Sequence, residues 1–425
     1  METIRICDGV DLRIVNEPKF KTNLMSVYFN IPLKRSTVTY AALLPAVLKR
    51  GCVKYPTLKD ISRRLDDLYS TTVNTGVRTK GDGEVIYFTA EYVSDRFIGE
   101  SISAEVAEFL KEFIFSPLTV NGSFSEEYVN SEKVNLKNAI TGLINDKKEY
   151  AEFKCREAMF GQDGFGMFEA GYTEDLDEIT PSKLYSFYKD VLNSAKVDIF
   201  LSGSTNDKLA ETVKKILASV FQPREGVYEK TQIAENIEKP VKNVVEEADV
   251  VQSKLCMGLR CGVEPSGNEY PALVLGSCIF GGSPFSKLFM NVREKLSLAY
   301  YAVARVAMFK SVMLISSGIQ TENYQVAYDE IMAQFKKMQD GVIDEFEIES
   351  AKKYLSNSYN SLKDSLRSME DYYLSQAILG NCGTIDKFIE KINAVTSEQI
   401  CSVMKNIKLD TVYFLKGKRA DGEAE

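Results

Sequence analysis

Apolar and polar positions alternate through Asn23–Ile31 (NLMSVYFNI) and again, in the second half of the chain, through Ser253–Cys261 (SKLCMGLRC). Both segments predict half-buried strands, because successive side chains of a strand point to opposite faces. Each opens a similar succession. Apolar residues recur with helical period in EEYVNSEKVNLKNAITGLI and in DEFEIESAKKYLSNSYNSL. DEITPSKLYSFYKDVL and NAVTSEQICSVMKNI each start on a threonine, and DIFLSG and TVYFLKG close the two series as short strands. The same elements in the same order predict a duplicated unit. Between the halves, residues 222–250 carry Pro223, Pro240 and many charges with few aromatics, and read as a linker running over the surface. The expected organisation is an N-terminal lobe (1–221), a linker (222–250) and a C-terminal lobe (251–425). The fold class is α+β: two homologous lobes, each a mostly antiparallel sheet packed by helices on one face, around a central cleft.

The second half holds the most informative junction. PALVLGSCIFGG predicts a buried helix ended by Gly281 and Gly282, after which Ser283 can cap and Pro284 can occupy the first position of a new helix. Phe285, Leu288, Phe289, Val292 and Leu296 then form an apolar stripe at helical spacing, with Arg293 beside it near the C-terminal end. SLAYYAVARV alternates as a strand. Leu298, Tyr300, Ala302 and Ala304 share one face, and Ala299, Tyr301, Val303 and Arg305 the other. Arg293 and Tyr300 can therefore converge on one space. Their ordinary structural roles are an arginine complementing a helix C-terminus and a tyrosine packing its ring.

Composition narrows the chemistry. The 425 residues are 44% hydrophobic, enough to build proper cores, and a net charge of −8 argues against a dedicated nucleic-acid surface. The N-terminal METIRICDGVDLRIV has neither a basic nor an apolar targeting region, and no apolar run of about 18 residues follows, so a cytoplasmic protein without membrane partners is expected. Eight cysteines (7, 52, 155, 256, 261, 278, 382 and 401) are scattered without a CxxC and read as buried hydrophobes in a reducing compartment. Cys256 and Cys261 lie in a strand-like stretch and read as core, not as metal ligands. There is no histidine at all. A Ser-His-Asp triad, a Cys-His dyad or a His-ligated zinc cannot be built from this chain alone.

The run FGGSPFSKLFMNVREKLSLAYYAVARV closely resembles the second-half signature of the insulinase, pitrilysin and mitochondrial processing peptidase family, the inverzincin metallopeptidases. That family is built from duplicated α+β domains of this length. The resemblance implies that an arginine and a tyrosine seven residues apart, here Arg293 and Tyr300, reach a bound peptide, whereas Tyr301 has the wrong spacing. The family's zinc motif H-x-x-E-H precedes a glycine. Aligned on Gly51, AALLPAVLKRG puts Ala42, Pro45 and Ala46 at the two histidines and the glutamate, and Pro45 is expected to break or bend the helix. Glu126, Glu127 and Glu132 lie where the family's distal zinc ligand falls, with no choice among them. No metal is expected in this chain. Some bacterial relatives divide the work between a zinc-bearing chain and a second chain that supplies the arginine and tyrosine. By this resemblance the chain is a pseudo-peptidase subunit that holds extended or unfolded peptide for a zinc-bearing homologous partner. The alternatives are a purely structural core-type subunit and a peptide-binding module acting alone.

Overall fold

The computed structural model describes residues 1–161, 163–235, 240–381 and 383–417. The first half of the chain contributes β1 (Glu2–Cys7), β2 (Val10–Asn16), β3 (Thr22–Pro32), β4 (Thr72–Lys80), β5 (Gly83–Val93), a short hairpin of β6 (Thr119–Val120) and β7 (Ser123–Phe124), and β8 (Lys196–Gly203). The second half contributes β9 (Lys242–Ala248), β10 (Ser253–Arg260), β11 (Ala299–Ala307), β12 (Val312–Ile319) and β13 (Lys408–Gly417). Apart from the hairpin they form two sheets, ordered β1-β2-β8-β3-β5-β4 and β11-β12-β10-β13-β9.

The duplication is visible in this topology. Read from its β4 edge, the first sheet runs β4-β5-β3-β8-β2, and the second runs β11-β12-β10-β13-β9. Three antiparallel pairings are followed in both by one parallel pairing, β8 with β2 and β13 with β9. The two threonines that open corresponding helices also act alike. The side chain of Thr180 accepts from the Lys183 N–H at the start of Pro181–Ser194, and that of Thr396 accepts from the Gln399 N–H at the start of Ser397–Asn406.

Three expectations need correction. The stretch 222–250 is not all linker: β9 lies within it, paired in parallel with β13 at the edge of the second sheet. Residues 236–239 of that stretch, 418–425 of the C-terminal range, and Cys382 lie outside the described residues. Secondly, the central strands are not half-buried, for almost every residue of β3 and β10 is covered on both faces. Thirdly, helices do not pack on one face alone.

Compactness explains both of the last two corrections. One unit comprises Met1–Thr141, Phe168–Lys230 and Ser365–Ile378; the other takes in Gly142–Met167, Thr231–Asp364 and the chain from Leu379. Each unit thus borrows a helix from the other half of the sequence. In the first, Met25, Val27 and Phe29 of β3 pack with the Val38–Leu48 helix on one face, while the Leu366–Ile378 helix bonds Ser26 and Tyr28 on the other. In the second, Leu255, Met257 and Leu259 join the main core. Cys256 on the opposite face packs against Ala151 and Cys155 of the Lys147–Phe160 helix.

Candidate functional site

The helix Tyr270–Ser277 passes into a π-helical turn, Cys278–Gly282. A Cβ on Gly281 would meet the Ala304 nitrogen at 2.6 Å, so only glycine allows this close approach to β11. The next helix starts later than the Ser283–Pro284 expected from the sequence. Leu288–Lys295 is itself π-helical, with the Ser286 hydroxyl accepting from the Phe289 N–H at 3.4 Å. Its i→i+5 winding shifts side chains off the α-helical spacing. Of the expected apolar stripe, Leu288 and Val292 are fully buried, but Phe285 and Leu296 are exposed.

At Tyr300 the ladder carries a bulge. Ala299 pairs with Ile319 and Tyr301 with Gly318, leaving Tyr300 between them without a partner. Uninterrupted alternation would set Tyr300 on the face of Ala302 and Ala304, which is core. The extra residue lets Ala299 enter the core instead and turns Tyr300 outward, 73% exposed. Tyr301 behaves otherwise. Its ring lies against Gly318, where a Cβ would sit 2.7 Å from Cε1, and its hydroxyl is 3.4 Å from Ser316 Oγ. The Lys148 and Lys254 ammonium groups stand 5.0 and 5.7 Å from the ring centre. Burial pushes the Tyr301 hydroxyl well above the ordinary range, which makes it a packing residue and a poor acid.

Arg293 lies near the C-terminal end of the second π-helix. Its guanidinium stacks 4.6 Å from the Phe289 ring centre, and Nε stands 3.5 Å from a carboxylate oxygen of Glu294. Arg293 and Tyr300 line one open pocket of about 390 Å³, together with Gln252, Glu294, Ser297 and Gln320. The two glutamines drew no attention in the sequence, because each sits just beyond a strand end and carries no motif.

Ala42, Pro45 and Ala46 lie on the Val38–Leu48 helix, which runs unbroken through Pro45. Of the break or bend expected at Pro45, the break does not occur. Burial of Leu43, Leu44, Val47 and Leu48 in the core holds the helix together although Pro45 can donate no hydrogen bond to Ala41. The Pro45 carbonyl still accepts from the Lys49 N–H at 3.1 Å. Of the three glutamates, Glu126 and Glu127 are exposed at the start of the Glu126–Gly142 helix. Glu132 is ion-paired with Arg50 just past the end of the Val38–Leu48 helix. Two alanines and a proline offer zinc no ligand, and a carboxylate already claimed by an arginine is a poor one. Among the described residues, no group of three or more His, Cys, Asp or Glu side chains is placed to hold a metal ion. Burial pushes the Cys256 and Cys261 thiols up to about 12, so neither offers a thiolate. Zinc does not fit the described residues at these motif positions.

The family model described as the peptidase M16 inactive domain matches residues 178–355. A probable inactive metalloprotease of Bacillus subtilis, YmfF, is 32% identical over 414 residues, which cover 96% of each chain. The chain belongs to the M16 peptidase family. A second relative, the uncharacterized zinc protease YmxG of the same organism, is 23% identical over 303 residues, covering 69% of this chain and 71% of its own. Among solved structures, a conserved protein from Enterococcus faecalis superposes with a TM-score of 0.91 at 31% identity over 99% of both chains. The peptidase M16 inactive domain from Pseudomonas fluorescens reaches 0.79 at 15% identity over 99% of both, a likeness of fold alone. The chain is an inactive-type M16 homologue. Among its described residues, no helix is long and apolar enough to cross a membrane.

Proposed function

We propose that this M16 chain is the non-catalytic, peptide-binding subunit of a heterodimeric zinc metallopeptidase of the cytoplasm. Its partner is a homologous chain that carries the zinc and the attacking water. The observation that supports this most is the bulge that turns Tyr300 into solvent beside Arg293, on a pocket lined by no histidine or cysteine. A purely structural subunit has no use for an outward tyrosine there. The Tyr300 hydroxyl donates to the oxygen that gains charge as a peptide carbonyl becomes tetrahedral, and Arg293 grips a neighbouring carbonyl. Among the described strands β11 pairs with β12 alone and forms a sheet edge, so an extended peptide can add beside it.

Co-expression with each zinc-bearing M16 homologue of the same cell, followed by size-exclusion chromatography, tests the proposal. One homologue should co-elute with this chain, and the pair should cleave an unfolded peptide that neither chain cleaves alone. If every such homologue elutes separately at micromolar concentration, the heterodimer is wrong. Peptide binding by the isolated chain would then favour a module acting alone.

A further inference from the structure

Two polar side chains of the Arg293–Tyr300 pocket have no task in that scheme. Gln252 and Gln320 stand where β10 and β12 meet their ends. The ladder of β10 and β12 ends at the pair Ser253 and Ile319, and Gln252 and Gln320 are the residues that flank that last pair. Both glutamines line the pocket. Neither carboxamide makes a hydrogen bond within the described chain. Other glutamines of this unit are engaged: Gln325 donates to Asp329, Gln334 to Glu330, and Gln339 to the Met404 carbonyl.

We infer that Gln252 and Gln320 are further peptide-contacting residues, which read the backbone of an extended peptide and are indifferent to its side chains. This rests on the reading of Arg293 and Tyr300 as peptide-binding groups. A carboxamide presents a carbonyl acceptor and an NH2 donor, the complement of one peptide unit. The rest of the pocket agrees with this. Arg293 and Glu294 bring opposite charges 3.5 Å apart, which leaves no net charge to select an acidic or a basic residue. Half-buried Leu298 supplies modest apolar surface just before β11. The favoured class is therefore short, unfolded peptides of varied sequence.

Fluorescence anisotropy with two labelled peptides of about ten residues, one acidic and one basic, tests the inference on the full chain. Gln252→Ala/Gln320→Ala should weaken both peptides by a similar factor, about tenfold for two lost hydrogen bonds, with an unchanged melting curve. Arg293→Ala serves as the control for the underlying reading. If the double variant binds both peptides as the wild type does while Arg293→Ala weakens them, the glutamines take no part and the peptide-binding reading survives. A loss confined to one peptide refutes backbone reading. If neither peptide binds the wild type up to millimolar concentration, both the inference and the peptide-binding reading fall.

Discussion

Replacing Glu370 with glutamine should abolish a pH dependence built into the first unit. Glu370 lies on the Leu366–Ile378 helix and is fully buried against the first sheet. One carboxylate oxygen accepts from Ser26 Oγ at 2.6 Å and Tyr28 Oη at 2.9 Å, and the other accepts from Ser202 Oγ at 2.6 Å. Burial raises the carboxyl to about 7, against the opposing pull of the three hydroxyls and of Arg367. The folded chain therefore holds a proton that the unfolded chain releases near 4.5. Glu370's contribution to stability is complete below that value, declines as pH rises, and is lost above about 7. Its full size is about 3 kcal/mol, of which about 2 kcal/mol disappears between about pH 5.5 and about pH 8.5. Full burial leaves no solvent screening to reduce this figure.

The neighbouring Asp371 runs the other way. Burial raises it, but Lys80 and Arg78 outweigh burial and hold the carboxyl below its usual range. Its contribution is common to both proteins, so the difference between wild type and Glu370→Gln isolates Glu370. Glutamine keeps the shape of the protonated acid, and the three hydroxyls can rotate to meet its carbonyl and NH2. Native-state hydrogen exchange on the Leu366–Ile378 helix and on β3, corrected for intrinsic rates, measures the effect. Between the two pH values the wild-type opening free energy should fall by about 2 kcal/mol more than that of the variant. Parallel curves for the two proteins would refute the reasoning, since an ionised carboxylate would then sit in this site at no cost.

Tyr300→Phe should lower turnover of the reconstituted peptidase by about 10² to 10³ fold with no change in melting, because the ring is largely exposed; Tyr301→Phe should leave turnover almost untouched. A Tyr300→Phe pair as active as wild type would return Tyr300 to a surface role. Pro45→Ala should stabilise the chain in denaturant melts by up to ~3 kcal/mol, less whatever packing the ring supplies, since it restores a donor inside a helix. A destabilised variant would mean that the ring's packing outweighs the missing hydrogen bond.

The sequence by itself determined much of this protein. Period-two and helical patterns revealed the duplication that five strands of each sheet repeat in order, because the same pattern of apolar faces drives the same pairing. The absence of histidine, with Ala42, Pro45 and Ala46 at the motif positions, ruled out a histidine-ligated zinc without any coordinates. The resemblance of FGGSPFSKLFMNVREKLSLAYYAVARV to the family signature put forward Arg293 and Tyr300 as a candidate pair. Alternation alone, however, placed Tyr300 with the core residues Ala302 and Ala304. Only pairing with β12 decided the outcome, because a bulge is a property of two strands' register and leaves no mark in the periodicity of one. The covering of the sheets' second faces was equally hidden. Ser26 meets Glu370 across 344 residues of sequence, and a buried carboxylate among three hydroxyls reads, in one dimension, as an ordinary charge on a helix. Local pattern fixes which residues avoid water, but which distant segment excludes the water is settled only when the whole chain has packed.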